Sequence, residues 1–367
     1  MKAQKFAYDR GLVVLTLILT FLGLVAIADI SAPQAQNLFS DSFYYVKQQI
    51  VWVFIGLFIF FSASKIHYSF WRKLSPFIFW GSLVFLVLVL IPGIGSRFLG
   101  ARRWIIIGPL TFQPSEFVKL SLAIYIASLS QSHKRPLSFI VPLILVGLLV
   151  MLQPDLGTTI GILGIALTQL FVAGFALLPF IGIIFAGGIM GTFLILISDY
   201  RRNRLLTYLK ASSDPLGKSY HIRQIFLALG SGGFFGLGIG NYRQKYLFLP
   251  EAATDSLFAI VAEEVGFLGS TLLLILFFVM FYKLIKIAIN APDSFSKILS
   301  TGVAAWFGIQ TFLNIGSMVA VIPLTGIPLP FFSYGGSSLV ALLFALGIVL
   351  NISKYINRND FSARKRR

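Results

Sequence analysis

The chain has 367 residues, 57% hydrophobic and 12% charged, with 30 Lys and Arg against 13 Asp and Glu for a formal net charge of +17. A soluble chain carries about twice that charged fraction, and with a mean hydropathy of +0.87 a soluble globular protein is excluded in favour of one polytopic membrane domain over residues 1–367. There is no cysteine, which rules out disulfides and thiolate chemistry, and His67, His133 and His221 are not spaced as a metal pair.

Ten apolar stretches are expected to be helices, roughly 11–31, 48–64, 76–92, 114–131, 137–153, 157–174, 179–198, 256–282, 298–321 and 335–352. The first follows Lys2, Lys5 and Arg10 as a signal peptide would, but it lacks a cleavage site and more spans follow, so it reads as the first transmembrane helix. The expected fold is an all-α polytopic membrane protein of about ten transmembrane helices. A large extracytoplasmic loop, about 199–255, lies between helices 7 and 8, and a basic tail, about 353–367, is cytoplasmic. With the termini inside, the cytoplasmic side carries seventeen Lys and Arg and the outer side twelve, Lys119 lying within a span. That balance puts both termini in the cytoplasm.

Eight of the twelve outer cations lie in the one loop: Arg201, Arg202, Arg204, Lys210, Lys218, Arg223, Arg243 and Lys245. Two readings stand: a solvated loop resting on anionic lipid, or an outer-face site for a polyanion. Neither calls for nucleic acid. Apolar residues among the polar ones (Leu205, Leu206, Tyr208, Ile222, Ile225, Phe226) suit amphipathic helices in the interface, with Asp214-Pro-Leu-Gly217 as a turn. The glycine-rich run Gly230–Gly240 fits no nucleotide motif; it suits close backbone approach to a ligand or another helix.

Four other segments hold polar or backbone-breaking residues beside hydrocarbon. Glu116 and Lys119 open the fourth span three residues apart, as a self-neutralising pair or as a phosphate-binding Lys steadied by its Glu. Gln153-Pro-Asp-Leu-Gly-Thr-Thr159 breaks spans five and six, with Asp155 placed to cap the sixth helix. Pro323–Ser338 holds too many Pro and Gly to be one helix, and irregular backbone at membrane depth survives only where it is buried or lines a cavity. At the mouth of the eighth span stand Glu251 and Asp255, with Glu263 and Glu264 two turns deeper. Acids beside hydrocarbon are expensive and ask for a reason. The bland one is that Pro250-Glu251 starts a helix whose positive end favours acids.

In order, GARRW at 100–104, QPSEFVK at 113–119, QPDLGTT at 153–159, YRRNR at 200–204, DPLGKSY at 214–220, LGSGGFFGLGIG at 229–240, LPEAATD at 249–255 with EEVGFLG at 263–269, and PLTGIPLPFFSYGGSS at 323–338 resemble the SEDS family. These are the bacterial shape, elongation, division and sporulation proteins typified by FtsW, RodA and SpoVE. RQKYLFLPEA and SYGGSS lean toward FtsW over RodA. Two positions depart from the family pattern: Ala253 where a His is usual and Ser256 where an aromatic is usual.

The resemblance implies peptidoglycan glycosyltransfer in cell division or elongation: polymerisation of lipid II, a disaccharide-pentapeptide on undecaprenyl pyrophosphate, beside a class B penicillin-binding protein that crosslinks the strands. It makes Asp255 the expected base that accepts the proton of the attacking sugar hydroxyl, with Glu251 as a supporting acid that tunes it. Pyrophosphate leaves without an acid, so cations must take its charge. Arg103, Lys119 held by Glu116, Arg243 and Lys245 are the expected contacts, with Ser333, Gly335 and Ser337 in the opposite wall. A divalent cation, Mg or Mn, at Asp255 is the other source of positive charge. Glu263 and Glu264 are expected to be structural, bonded to the broken 323–338 segment. Two rival readings are a flippase for lipid-linked sugars, which also uses broken helices, and a non-catalytic scaffold of the division machinery.

Overall fold

The computed structural model describes residues 8–98, 101–108, 110–131, 137–197, 202, 220–241 and 254–364. Its helices are α1 (Arg10–Phe39), α2 (Tyr44–Lys65), α3 (Tyr68–Leu88), α4 (Pro114–Leu129), α5 (Leu137–Leu152), α6 (Leu156–Val172), α7 (Leu177–Ile197), α8 (Tyr220–Ser231), α9 (Leu257–Ile289), α10 (Ser294–Met318) and α11 (Gly336–Arg364). Each of the ten apolar stretches coincides with a helix. Among the described residues, six are long and apolar enough to cross a membrane: α1, α2, α3, α9, α10 and α11 through Ile356. α5 and α6 are shorter apolar helices.

Several limits differ from expectation. α3 starts at Tyr68, not near 76, because His67 caps it through Nδ1, which accepts the Ser69 N–H at 3.2 Å; Pro76 is accommodated inside. α1 runs on to Phe39 past Pro33, and the αL residue Ser40 (φ 56) stops it. The all-α expectation also needs correcting. Between α3 and α4 lies a three-stranded antiparallel sheet of β1 (Gly95–Phe98), β2 (Ala101–Ile107) and β3 (Leu110–Phe112), in the order β1-β2-β3. Its signal is the β-branched run Ile105-Ile106-Ile107 before the Gly108-Pro109 turn pair.

Lipid is as apolar as a protein core, so large side chains face outward as often as inward. On α2, Phe54 and Phe58 are exposed while Gly56, Phe60 and Ala63 are buried. Small residues therefore set the helix contacts. α2 packs on α11 so closely that a Cβ on Gly347 would lie 2.5 Å from the Phe60 carbonyl oxygen. α4 is the central helix, with thirteen of its sixteen residues buried. Its Leu120, Ala123, Ile124 and Ala127 join a core shared with α1, α2, α9, α10 and α11. Its Val118, Leu122, Ile126 and Leu129 join a second core with α3, α5 and α6. The chain is built around an element that has no lipid face, and the polar pair Glu116–Lys119 sits on it.

α9 is not continuous. At Gly266 (φ 67, ψ −167) the backbone leaves the helical region. The groups freed by the break are satisfied by the glycine-rich run. The N–H groups of Leu237 and Gly238 donate to the carbonyls of Glu263 and Glu264 at 3.1 and 3.0 Å. Those of Phe267 and Leu268 donate to Gly233 and Phe234 at 2.9 and 3.1 Å. A Cβ on Gly236 would lie 2.0 Å from the Glu264 carbonyl oxygen. The glycines serve close backbone approach to a helix, one of the two uses their density suggested.

Candidate active site

Three consecutive residues at the mouth of α9 are each held by a side chain from a different element. Ser333 Oγ, in the broken 323–338 segment, donates to the Thr254 carbonyl at 2.6 Å. Asn314 Nδ2, near the end of α10, donates to the Asp255 carbonyl at 2.9 Å. Ser256 Oγ lies 2.8 Å from Nε2 of His221 on α8. The Asp255 carboxylate rests against Gly326 (φ 71), where a Cβ would stand 3.3 Å from Oδ2.

The broken segment is fixed by the same groups. Ser333 Oγ accepts the Leu329 N–H at 2.7 Å, and Asn314 Nδ2 also donates to the Ile327 carbonyl at 2.8 Å. Gln310 Nε2, one turn before Asn314, donates to the Pro328 carbonyl at 2.9 Å. Phe331 is buried at φ 67, a conformation that costs a non-glycine about 1–2 kcal/mol. Its carbonyl oxygen occupies the place a Cβ on Gly23 of α1 would take, 2.1 Å away.

Behind this wall lies the α4 pair. Lys119 Nζ is 2.8 Å from Glu116 Oε1 and 3.0 Å from Gln310 Oε1, and it stands 5.2 Å from the centre of the Trp306 ring. Trp306 Nε1 donates to the same Gln310 oxygen at 2.6 Å. Both members of the pair are almost wholly buried. Lys119, Trp306, Gln310, Thr158 and Ile327 help line a cavity of about 10 Å³, room for one water. One polar chain thus runs from Glu116 through Lys119 and Gln310 to the broken segment, and through Asn314 to Asp255.

Arg103, on β2, sends Nε to the Gln153 carbonyl at 2.9 Å and its Nη2 to the Pro154 carbonyl, with Nη1 3.8 Å from Asp155. Asp155 caps α6 as expected, accepting the Thr158 N–H at 3.0 Å. Ser337 binds the sheet: its Oγ accepts from the Gln113 N–H at 2.9 Å and donates to the Thr111 carbonyl at 3.1 Å. Gly335 precedes Gly336, where a Cβ would strike the Trp52 ring at 2.1 Å. Glu251, Arg243 and Lys245 lie outside the described residues, as does most of the basic loop.

The structure therefore gathers Asp255, Ser333 and, through Gln310, the Glu116–Lys119 pair. Arg103 and Ser337 are tied to neighbouring segments instead. Glu263 and Glu264 need a correction. Ser231 Oγ donates to Glu263 Oε1 at 2.9 Å, and the Gly240 N–H donates to Glu264 Oε1 at 3.2 Å. Glu264 also hydrogen-bonds Asp29 of α1. The two acids brace the glycine-rich run and α1, because the break at Gly266 draws that run against α9. Sequence reasoning missed Gln310, Asn314 and Asp29. The first two left a signal: amide side chains four residues apart in an apolar span share one helix face and ask for a buried partner.

Among known proteins, the profile of the family FtsW/RodA/SpoVE, described as "Cell cycle protein", matches residues 10–358. Stage V sporulation protein E of Bacillus subtilis (strain 168) is 41% identical over 365 residues, 97% of this chain and 99% of that protein. A protein of Trichlorobacter lovleyi named probable peptidoglycan glycosyltransferase FtsW is 37% identical over 355 residues, 94% of this chain and 93% of that protein. A solved chain described under "Structural coordination of polymerization and crosslinking by a peptidoglycan synthase complex" superposes with a TM-score of 0.79 at 30% identity, covering 95% of this chain and 98% of that one. The ordered motifs and the bundle that carries them have one origin: the chain belongs to the FtsW/RodA/SpoVE family of cell cycle proteins.

Proposed function

We propose that this chain is a peptidoglycan glycosyltransferase that polymerises lipid II at the outer face of the cytoplasmic membrane, in cell division or elongation. The reading rests on the relatives' names and on one observation, the fastening of Thr254, Asp255 and Ser256 from three separate elements. Such fastening suits a group that must meet a substrate hydroxyl in line. In this reading Asp255 takes the proton as the sugar oxygen attacks the donor carbon, and undecaprenyl pyrophosphate leaves with the bonding pair. Glu251, four residues earlier, tunes the base.

The charge of the leaving group falls to Arg103 and to the loop cations Arg243 and Lys245. Lys119, its side chain 4% exposed against 30% for Arg103, already bonds Glu116 and Gln310, so its work is to hold the wall formed by 323–338 with Ser333, Gly335 and Ser337. A divalent cation, Mg or Mn, at Asp255 would be the other source of counter-charge, since such an ion binds through one or two carboxylates together with substrate phosphates and water. In this reading the chain has ten spans and cytoplasmic termini, so that the 199–255 loop lies outside, where a class B penicillin-binding protein is the expected partner.

A flippase is the second reading, because the breaks at Gly266 and 323–338 are of the kind transporters use. Purified protein in sealed vesicles, given lipid II on one face with and without a penicillin-binding partner, separates the two. Polymer supports the enzyme; lipid movement without polymer supports the flippase. Asp255→Asn should lower polymerisation by about a hundredfold or more. A variant that polymerises at the parent rate ends the catalytic reading.

A further inference from the structure

Ser256 stands at the N-cap of α9, where a serine hydroxyl ordinarily accepts a backbone N–H of the first turn. No such bond forms here. The hydroxyl is turned sideways to His221 Nε2 at 2.8 Å, and the residue is fully buried. His221 is the second residue of α8, an amphipathic helix with Ile222, Ile225 and Ala228 buried and Arg223, Phe226 and Leu227 exposed. The helix cap has been given up for a bond between elements, directly beside Asp255.

We propose that His221 is a positioning residue for the transfer reaction: through Ser256 it fixes the first turn of α9, and with it the direction of the Asp255 carboxylate. The inference rests on Asp255 as the base. Asn314 and Ser333 hold the backbone carbonyls of residues 255 and 254, which leaves rotation about the next residue to a third anchor. A hydroxyl both donates and accepts, so the pair survives a change of imidazole charge. With the ring neutral and Nε2 bare, Ser256 donates; with Nε2 protonated, His221 donates. The role assigned to His221 is therefore to hold position. It also makes the site depend on α8 being docked, so that the outer loop reports to the base.

The test is a double-mutant cycle read by lipid II polymerisation. His221→Phe and Ser256→Ala should each lower kcat by about tenfold while the KM for lipid II stays within about twofold, and the double variant should be no slower than either single. His221→Gln, whose terminal amide reaches toward the Nε2 position, should restore kcat to within about threefold of the parent. A purely structural role predicts losses that follow the folded fraction and no rescue by Gln. Should His221→Phe fail to fold, Ser256→Ala and His221→Gln still carry the comparison. Single variants at the parent rate, or a double variant whose loss is the product of the singles, overturn the proposal. If Asp255→Asn is inactive while His221→Phe is fully active, only this inference fails. If Asp255→Asn is active, the base assignment fails whatever His221 does.

Discussion

Replacing Gly326 with Ala separates backbone strain from damage to the site. Gly326 has φ 71, and the added Cβ would stand 3.3 Å from Asp255 Oδ2. Holding Ala in the left-handed region costs about 1–2 kcal/mol, while the contact asks the carboxylate to move by a few tenths of an ångström. Since a misplacement of about 1 Å can cost about a hundredfold in rate, a shift of this size should cost about tenfold. Gly174, after α6, is the control: its φ is 76 and a Cβ there would meet nothing within 4 Å. Gly174→Ala carries the same backbone cost without touching Asp255. Thermal melting in detergent should lower both variants alike, and lipid II polymerisation per folded molecule should fall only for Gly326→Ala. Equal activities for the two would refute the claim that the carboxylate's place against residue 326 matters.

Two further outcomes test the buried pair and the orientation. Glu116→Gln leaves the buried Lys119 without its counter-charge and should destabilise by about 3–5 kcal/mol, whereas adding Lys119→Met should recover most of the loss; additive losses in melting temperature would contradict the pair. Because the chain has no native cysteine, Pro215→Cys reports topology directly: an impermeant maleimide should label it from outside, and labelling from the cytoplasm would overturn the proposed orientation.

Hydropathy made the helices legible, because each long apolar run must satisfy its own backbone in lipid. It could not set their ends. Helix ends depend on caps such as His67 for α3 and Ser40 for α1, single residues that hydropathy averages away. The sheet at 95–112 hid in a stretch too short and polar to read as a span. At the site, the acid at 255 and the broken segment were visible because both offend the bilayer. The pairing that steadies them was not: Asn314 and Gln310 share a face of an apolar span, but what they bind is set only when α10 is laid beside residues 255 and 328. Ser256 shows the same limit from the other side. It departs from the family pattern, and only the structure shows that its hydroxyl meets His221 thirty-five residues earlier. The destination of the acids 263 and 264 depended on the break at Gly266, and one glycine in an apolar run does not announce a kink.

The placement of irregular backbone follows from where hydrogen bonds can be had. At the end where α1, α3 and α10 begin and α2 and α11 finish, the helices meet through ordinary polar clasps. Tyr68 donates its hydroxyl to Asp293, Asn351 Nδ2 donates to the Ser64 carbonyl at 2.8 Å, and Lys283 pairs with Asp9 at 3.0 Å. Gly347 seats α11 on α2 toward that end. Around Asp255, at the other end, two segments have left the helix, and each is repaired from outside itself: Gly266 by the glycine-rich run, 323–338 by Gln310 and Asn314. An unrepaired polar backbone group in hydrocarbon costs several kcal/mol, so these repairs fix the arrangement far more firmly than apolar contact alone could. The regular end carries the stability that lets the other end stay irregular, and the irregularity is what brings a carboxylate, a strained Phe331 and a buried lysine into one wall.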